Sequence, residues 1–436
     1  MSSYMPLELI TKILSKLDIQ TLLRCRSVSK QWCSLIDGND FMKTHMNQSI
    51  KTNTNNTLFI IYEDGHLDLV DFDTLCRGNN PIFLQGHPIT RLRKPIDLFI
   101  GSCNGLLSLA EEDGGILICN PSLQKYKHIP PFFPYTFNTI LMFSSNGEMV
   151  FGRGYGFGYD AASNDYEVVR IVQFLKPDAQ WKESEMTIYS AMKHLSWVIK
   201  MPYLVLAKNA MGVYLWGALH WIVSRFDNLT GTQVIVGFDL GVDEFREVPP
   251  PDYGDNVTSL DVGVLGGCLC AFAKFEGVGV DVWVMKEYGV KESWSKVFLI
   301  SSSILCYNSV RPLGYSNEGG MVLLELDRER LLWYEIEKKR VVDFVTEGWK
   351  LDDFDAILCL NSLFVPMHEH PPTKKRKMVK NRDTIKIFET IKIHIGLVNL
   401  IQLEIEIASQ SKVLKLERQV NYSLGYELLL LGSVPL

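Results

Sequence analysis

Apolar residues recur at three- and four-residue intervals near the start of the chain and in short strand-like runs through most of the remainder. In the segment Met5–Leu17, positions Leu7, Ile10, Ile13/Leu14 and Leu17 fall on one stripe of a helix. Pro6 suits a first helical turn, where its missing N–H costs nothing, and Glu8 favours the positive end of the dipole. Asp18, ahead of Thr21, predicts a cap for a second helix carrying Leu22, Leu23 and Cys25. Ser29 predicts the cap of a third, holding Trp32, Leu35 and Ile36, which Asp37-Gly38-Asn39 ends. Three helices over about 40 residues enclose little core of their own. The apolar stripe therefore either docks on a partner or packs on the rest of the chain, and periodicity does not separate the two.

Beyond the polar run Lys51–Thr57 the period changes. Leu58–Tyr62 and Leu67–Phe72, separated by Glu63-Asp64-Gly65, read as a hairpin. An internal repeat then appears. Ile118-Cys119-Asn120 precedes Tyr126, Ile129 and Pro130; Gly158-Tyr159-Asp160 precedes Tyr166 and Val169; Gly237-Phe238-Asp239 precedes Phe245, Val248 and Pro249. A weaker copy runs from Trp333-Tyr334-Glu335 to Val341 and Phe344. Each is a strand, a polar turn opened by a residue whose side chain can bond the backbone ahead, and a second strand. Gly-led strands at Asn104-Gly105, Gly217 and Gly266-Gly267 form a second series, and Gly-Gly doublets at 114, 266 and 319 resemble degraded kelch repeats. Units of about 50 residues predict a β-propeller of about six blades across residues 58–365, with a pair of packed sheets as the alternative.

Hydrophobic residues at 47% and charged residues at 22% fit a globular protein, and a net charge of −6 argues against nucleic acid as the main partner. Nine scattered cysteines do not form a secreted disulfide pattern. No signal peptide and no membrane span are expected, which leaves cytosol or nucleus. No catalytic motif, metal set or cofactor fingerprint is apparent. Cys268-x-Cys270 lacks further zinc ligands and reads as core. Gly152-x-Gly154-x-Gly156-x-Gly158 lacks dinucleotide-loop spacing and reads as a blade turn. Tyr155, Phe157, Trp181, Trp197, Trp216 and Phe226 are candidates for a binding surface. From Pro366 the chain turns polar, with His368-x-His370 read as linker. Lys374-Lys375-Arg376-Lys377 suits nuclear import or an acidic partner, and Ile385–Ile407 alternates like a strand pair.

Pro6-Leu7-Glu8-Leu9-Ile10-x-x-Ile13-Leu14-Ser15-x-Leu17, followed by Val28-Ser29-Lys30-x-Trp32-x-x-Leu35-Ile36, closely resembles the F-box. Gly101–Leu106, Asn120-Pro121-Ser122, Gly156–Asp160 and Val282–Tyr288 then resemble plant F-box proteins with an F-box-associated interaction domain. The nearest likeness is to the defence-regulating group named for constitutive expression of pathogenesis-related genes. The resemblance implies an α+β multidomain chain: a three-helix F-box over 1–48, a linker over 49–57, a propeller-like target-recognition domain over 58–365, and a basic, partly disordered extension over 366–436. It also implies a non-catalytic substrate receptor of a ubiquitin ligase, binding a Skp-family adaptor, through it a cullin, and a protein target such as an immune receptor. Pro6, Leu7, Ile10, Leu14, Leu17, Leu22, Val28, Trp32 and Leu35 would supply the adaptor face or the packing that shapes it. Met5 and Asp18 depart from the usual Leu and Pro, so weaker caps with retained binding are expected. Two other readings stand beside this one: a propeller enzyme or ligand-binding module with a helical extension, and a nuclear co-regulator.

Overall fold

The computed structural model describes residues 6–62, 64–76, 96–131, 142–143, 149–175, 181–205, 210–225, 233–254, 256–302, 309–343 and 354–365. Four helices open it: α1 (Leu7–Leu14), α2 (Ile19–Cys25), α3 (Lys30–Ile36) and α4 (Asn39–Thr52). The two caps form as the side chains predict. Asp18 accepts the N–H of Thr21 at 2.9 Å and its hydroxyl at 2.6 Å, and Ser29 Oγ accepts the N–H of Trp32 at 3.1 Å. Asp18 thus closes its helix with two bonds, so the expected weakening is not seen there.

The helix count is a correction from three to four. Gly38 ends one helix and caps the next, and α4 runs into the stretch read as a linker. Its apolar residues Phe41 and Met42 and the buried His45 lie too far apart to announce an amphipathic helix, so tertiary packing makes this element. Asn53 stops it in a left-handed conformation.

The β domain is a succession of antiparallel meanders. Strands β1 (Asn56–Tyr62) and β2 (Leu67–Asp71) form the expected hairpin, and the short helix α5 (Phe72–Cys76) comes next. The second meander is β3 (Ile96–Cys103), β4 (Leu106–Glu111), β5 (Ile116–Asn120) and β6 (Lys125–Ile129). A ten-stranded sheet holds the next two. It runs β7 (Met142–Phe143), β8 (Met149–Asp160), β9 (Asp165–Leu175), β10 (Trp181–Ser190) and β11 (Leu195–Met201), then β12 (Tyr203–Leu204), β13 (Ala210–Leu215), β14 (Ala218–Arg225), β15 (Val234–Asp239) and β16 (Glu244–Val248). A parallel pairing of β8 with β13 joins the two. The last full meanders are β17 (Val257–Leu265), β18 (Cys268–Phe275), β19 (Gly279–Met285) and β20 (Trp294–Ser301), then β21 (Val310–Tyr315), β22 (Met321–Leu326), β23 (Arg330–Glu335) and β24 (Arg340–Asp343). Finally β25 (Phe354–Leu360) pairs with β1, Asn56 opposite Leu360 and Tyr62 opposite Phe354.

The first strands of successive units are neighbours in a closed ring, β3 to β8, β13, β17, β21, β25 and back to β3. That closure makes the domain a propeller of six blades, whose first blade draws β25 from the end of the domain and β1 and β2 from its start. Inner strands such as β4 and β5 are buried along their whole length because a blade lies against each face. Arg311 on β21 holds the closing strand: its guanidinium donates to the Glu325 carboxylate at 2.8 Å, to the Asp355 carboxylate, and to the Ala356 carbonyl at 2.8 Å.

The repeats map onto turns with a common chemistry. Asn104-Gly105, Trp216-Gly217 and Gly266-Gly267 are two-residue hairpin loops with both φ angles positive, the twist that suits a tight hairpin. The polar turns behave as their opening residues predict. Asn120 Oδ1 accepts the N–H of Leu123, Asp239 Oδ1 that of Gly241, and Asp160 those of Ala162 and Ser163. These turns join third to fourth strands at Asn120, Asp239 and Glu335, but first to second strands at Asp160. The third-to-fourth turn of that blade opens with Ser190, whose Oγ accepts the N–H of Lys193.

The glycine run 152–158 is a second correction: it lies inside β8 and not in a turn. A Cβ on Gly156 would stand 2.8 Å from Leu219, and one on Gly158 2.5 Å from Leu240. Glycine lets the side chains of the next blade press against this backbone. Gly105 is under a stricter constraint. Its φ is +74°, and a Cβ there would lie 2.3 Å from Ser362 Oγ. Gly105→Ala is expected to cost about 2 kcal/mol in urea unfolding, from strain and from displacement of the segment after β25.

His220 on β14 ties two blades. Its Nδ1 donates to the Val213 carbonyl at 3.1 Å, so the neutral ring accepts the Tyr288 hydroxyl at Nε2, 2.6 Å away. Burial pushes its pKa down to about 4. The unfolded state, with histidine near 6.5, binds the proton first, so stability holds above about pH 6.5 and falls as pH drops toward 4. The loss reaches about 3 kcal/mol, and His220→Asn should flatten this part of a stability profile taken by urea melts at fixed pH.

Candidate adaptor and target surfaces

The helical module divides the predicted adaptor residues into two sets. Leu14 and Leu22 are buried with Ile19, Ile36 and Phe41, and Ile10, Leu17, Trp32 and Leu35 pack partly against them. Pro6, Leu7 and Val28 are exposed, Leu7 by 46% and Val28 by 64%. Leu9 and Ile13 are also exposed, the latter by 51%, and were absent from the predicted set. The signal for them was available: α1 has apolar residues at 7, 9, 10, 13 and 14, a wider arc than so small a bundle can bury. Exposed large apolar side chains grouped on one small module mark an interaction surface.

The other side of the module is seated on the β domain. Leu363 joins its core, and Leu123 from the turn between β5 and β6 packs against it. Asn53 Nδ2 donates to the Tyr315 carbonyl at 2.7 Å. Asn120 Nδ2 donates to the carbonyls of Ser362 at 2.9 Å and Phe364 at 2.6 Å, pinning the segment that carries Leu363. His45 is buried, with Nε2 donating to the Leu17 carbonyl at 2.8 Å. Burial lowers its pKa, partly offset by that bond and by Asp18. The apolar stripe thus does both things that periodicity left open: one part packs inward and the other faces out.

Of the candidate aromatics, Tyr155 and Phe157 are core. Trp197 is half-buried with Nε1 donating to Asp243 at 3.0 Å, and Trp216 is 77% exposed at a hairpin tip. For Trp181 only the strand position is described, and Phe226 lies outside the described residues, as do His368, His370, Lys374, Lys375, Arg376, Lys377 and Ile385–Ile407. Cys268 and Cys270 face one core cluster, where burial pushes the Cys270 thiol up. Among the described residues no group of three His, Cys, Asp or Glu is placed to hold a metal ion, and no helix is long and apolar enough to cross a membrane.

Known proteins align with this architecture along its length. The family model for the F-box domain matches residues 2–44, and that for the F-box associated beta propeller domain matches residues 58–366. The chain is 33% identical to F-box protein CPR1 of Arabidopsis thaliana over 356 residues, covering 77% of this chain and 83% of that one. It is 28% identical to an F-box/kelch-repeat protein of the same plant over 347 residues, covering 77% and 89%. Among solved structures, an oligogalacturonate lyase from Vibrio parahaemolyticus aligns over 69% of this chain and 82% of that one, with 10% identity and a TM-score of 0.38. With an N-terminal F-box whose apolar face is open and a six-bladed domain matched along its length, the chain belongs to the family of F-box proteins with an F-box-associated β-propeller domain.

Proposed function

We propose that this chain is the substrate-recognition subunit of a Skp–cullin–F-box ubiquitin ligase, holding a protein target on its propeller and a Skp-family adaptor on its F-box. The observation that carries the reading is the exposed apolar group of Leu7, Leu9, Ile13 and Val28 on a module otherwise packed and anchored. Such a receptor works by effective concentration and needs no nucleophile of its own. The seat of the F-box on Leu123 and Leu363 supports this role, because a fixed angle between the two domains fixes where the target meets the ubiquitin donor. Pro6 and Leu7 with Val28 form the adaptor contact; Ile10, Leu17, Trp32 and Leu35 shape it, over a core of Leu14 and Leu22. The defence-regulating likeness points to an immune receptor as the target class, with action in cytosol or nucleus and Lys374–Lys377 as the import run. The test is co-elution of the purified full chain with a Skp-family adaptor and a cullin on size exclusion. An adaptor that elutes alone at micromolar concentrations rejects the reading.

A further inference from the structure

The outer edges of the blades are guarded unequally. β6 carries Lys125 and Lys127, β16 carries Glu244 and Arg246, and β24 opens on Arg340. Charges of this kind keep an edge strand from pairing with other chains. β11 has no such guard along Leu195-Ser196-Trp197-Val198-Ile199, although Leu195 is 62% and Val198 57% exposed. It ends its sheet and pairs only with β10, so its outer backbone groups meet no strand among the described residues. The bond from Trp197 to Asp243 anchors the strand to the adjacent blade, which leaves a rigid template.

Charge then selects the occupant. The uncharged run is bracketed by exposed Lys193 and Lys200, in a chain whose net charge is −6. Seven residues of strand place these two lysines about 23 Å apart. A segment laid alongside meets a positive charge at each end and apolar surface between.

We propose that β11 is a docking edge for an extended segment of the target protein, apolar at its centre with acidic residues about seven positions apart, which adds to the blade as a further strand. This rests on the receptor reading above. Main-chain hydrogen bonds supply affinity, alternate side chains meet Leu195 and Val198, and the two lysines set the register. The turn from Ser190 to Leu195 lies at the same end of the blades as the Leu123 turn beneath the F-box, because both join third to fourth strands of parallel-running meanders. A segment on β11 is therefore held on the side from which the adaptor is reached.

The test uses the full chain and two labelled peptides of alternating Val and Thr, eight residues long, one with Asp and one with Lys at both ends. The Asp-ended peptide should bind about tenfold tighter, two attractive pairs replacing two repulsive ones, and should slow amide exchange across residues 195–199. Lys193→Glu with Lys200→Glu should reverse the preference, and Val198→Asp should abolish binding of the Asp-ended peptide, all with unchanged melting temperature. The proposal is overturned if neither peptide slows exchange on β11, if both bind equally, or if the charge reversal changes nothing. Self-association of the chain that Val198→Asp removes would assign the edge to a second copy and overturn it as well. Adaptor co-elution measured on the same samples separates the two ideas: retained adaptor with no peptide effect rejects only the docking edge, and lost adaptor rejects the receptor reading.

Discussion

Replacing Leu7 and Val28 with arginine is expected to reduce capture of a Skp-family adaptor by at least about a hundredfold while leaving the unfolding transition in place. Both side chains are exposed, so arginine can reach water in the free protein at little cost to the fold. In a complex each would be covered, forfeiting roughly 1.5–3 kcal/mol of apolar burial and adding the cost of desolvating a charge. A hundredfold loss corresponds to about 2.7 kcal/mol, well inside that sum. The contrast is Leu14→Arg, which the stripe alone would have recommended for the same purpose. Leu14 is 1% exposed at the centre of the helical core, so a charge there should unfold the module and remove binding for an uninformative reason. Binding by isothermal calorimetry, with circular dichroism melts of each variant, checks the pair. Equal affinity for the adaptor in the double variant and the native chain would mean that this face is not the contact.

Arg311→Ala is expected to produce the largest loss of stability in the β domain, about 3 kcal/mol or more. The guanidinium lies between Glu325, 5% exposed on its own blade, and Asp355 on the closing strand, and it also takes the Ala356 carbonyl. Burial disfavours its charge, but the two carboxylates outweigh that and hold its pKa above the usual range. Truncation leaves two acids facing each other with no cation between them, at the point where the ring closes. Removing one partner of a buried pair costs more than the pair contributes, because the remaining charge stays desolvated. Urea unfolding should show a lower midpoint, and limited proteolysis should cut first near β25. A stability within about 0.5 kcal/mol of the native value would show that closure depends on apolar packing and the β1–β25 ladder alone.

Local chemistry made much of this legible beforehand. Asp18 and Ser29 announced their helices because a cap involves only the next three residues. Asn120, Asp160 and Asp239 announced turns for the same reason, and the Gly-led loops followed from the need for positive φ. The glycine run in β8 misled because its cause is not local. Leu219 and Leu240, which occupy the space beside it, come from the next blade. The fourth helix was missed because its packing partners come from the preceding helices, and its own sequence is too polar to declare a buried face.

The adaptor surface shows the same division. Periodicity placed Leu7, Ile10, Leu14 and Leu17 together, since a helix repeats every 3.6 residues whatever surrounds it. Which of them faces outward depended on α2, α3, α4 and Leu363, which cover Leu14 and leave Leu7, Leu9, Ile13 and Val28 open. On its own, the sequence determined the F-box, the kind of β unit and its repeat, because these rest on contacts a few residues apart. Only the tertiary structure decided the closure of β25 onto β1, the seat of the F-box and the unguarded edge at β11, because each depends on residues that lie tens to hundreds of positions apart in the chain.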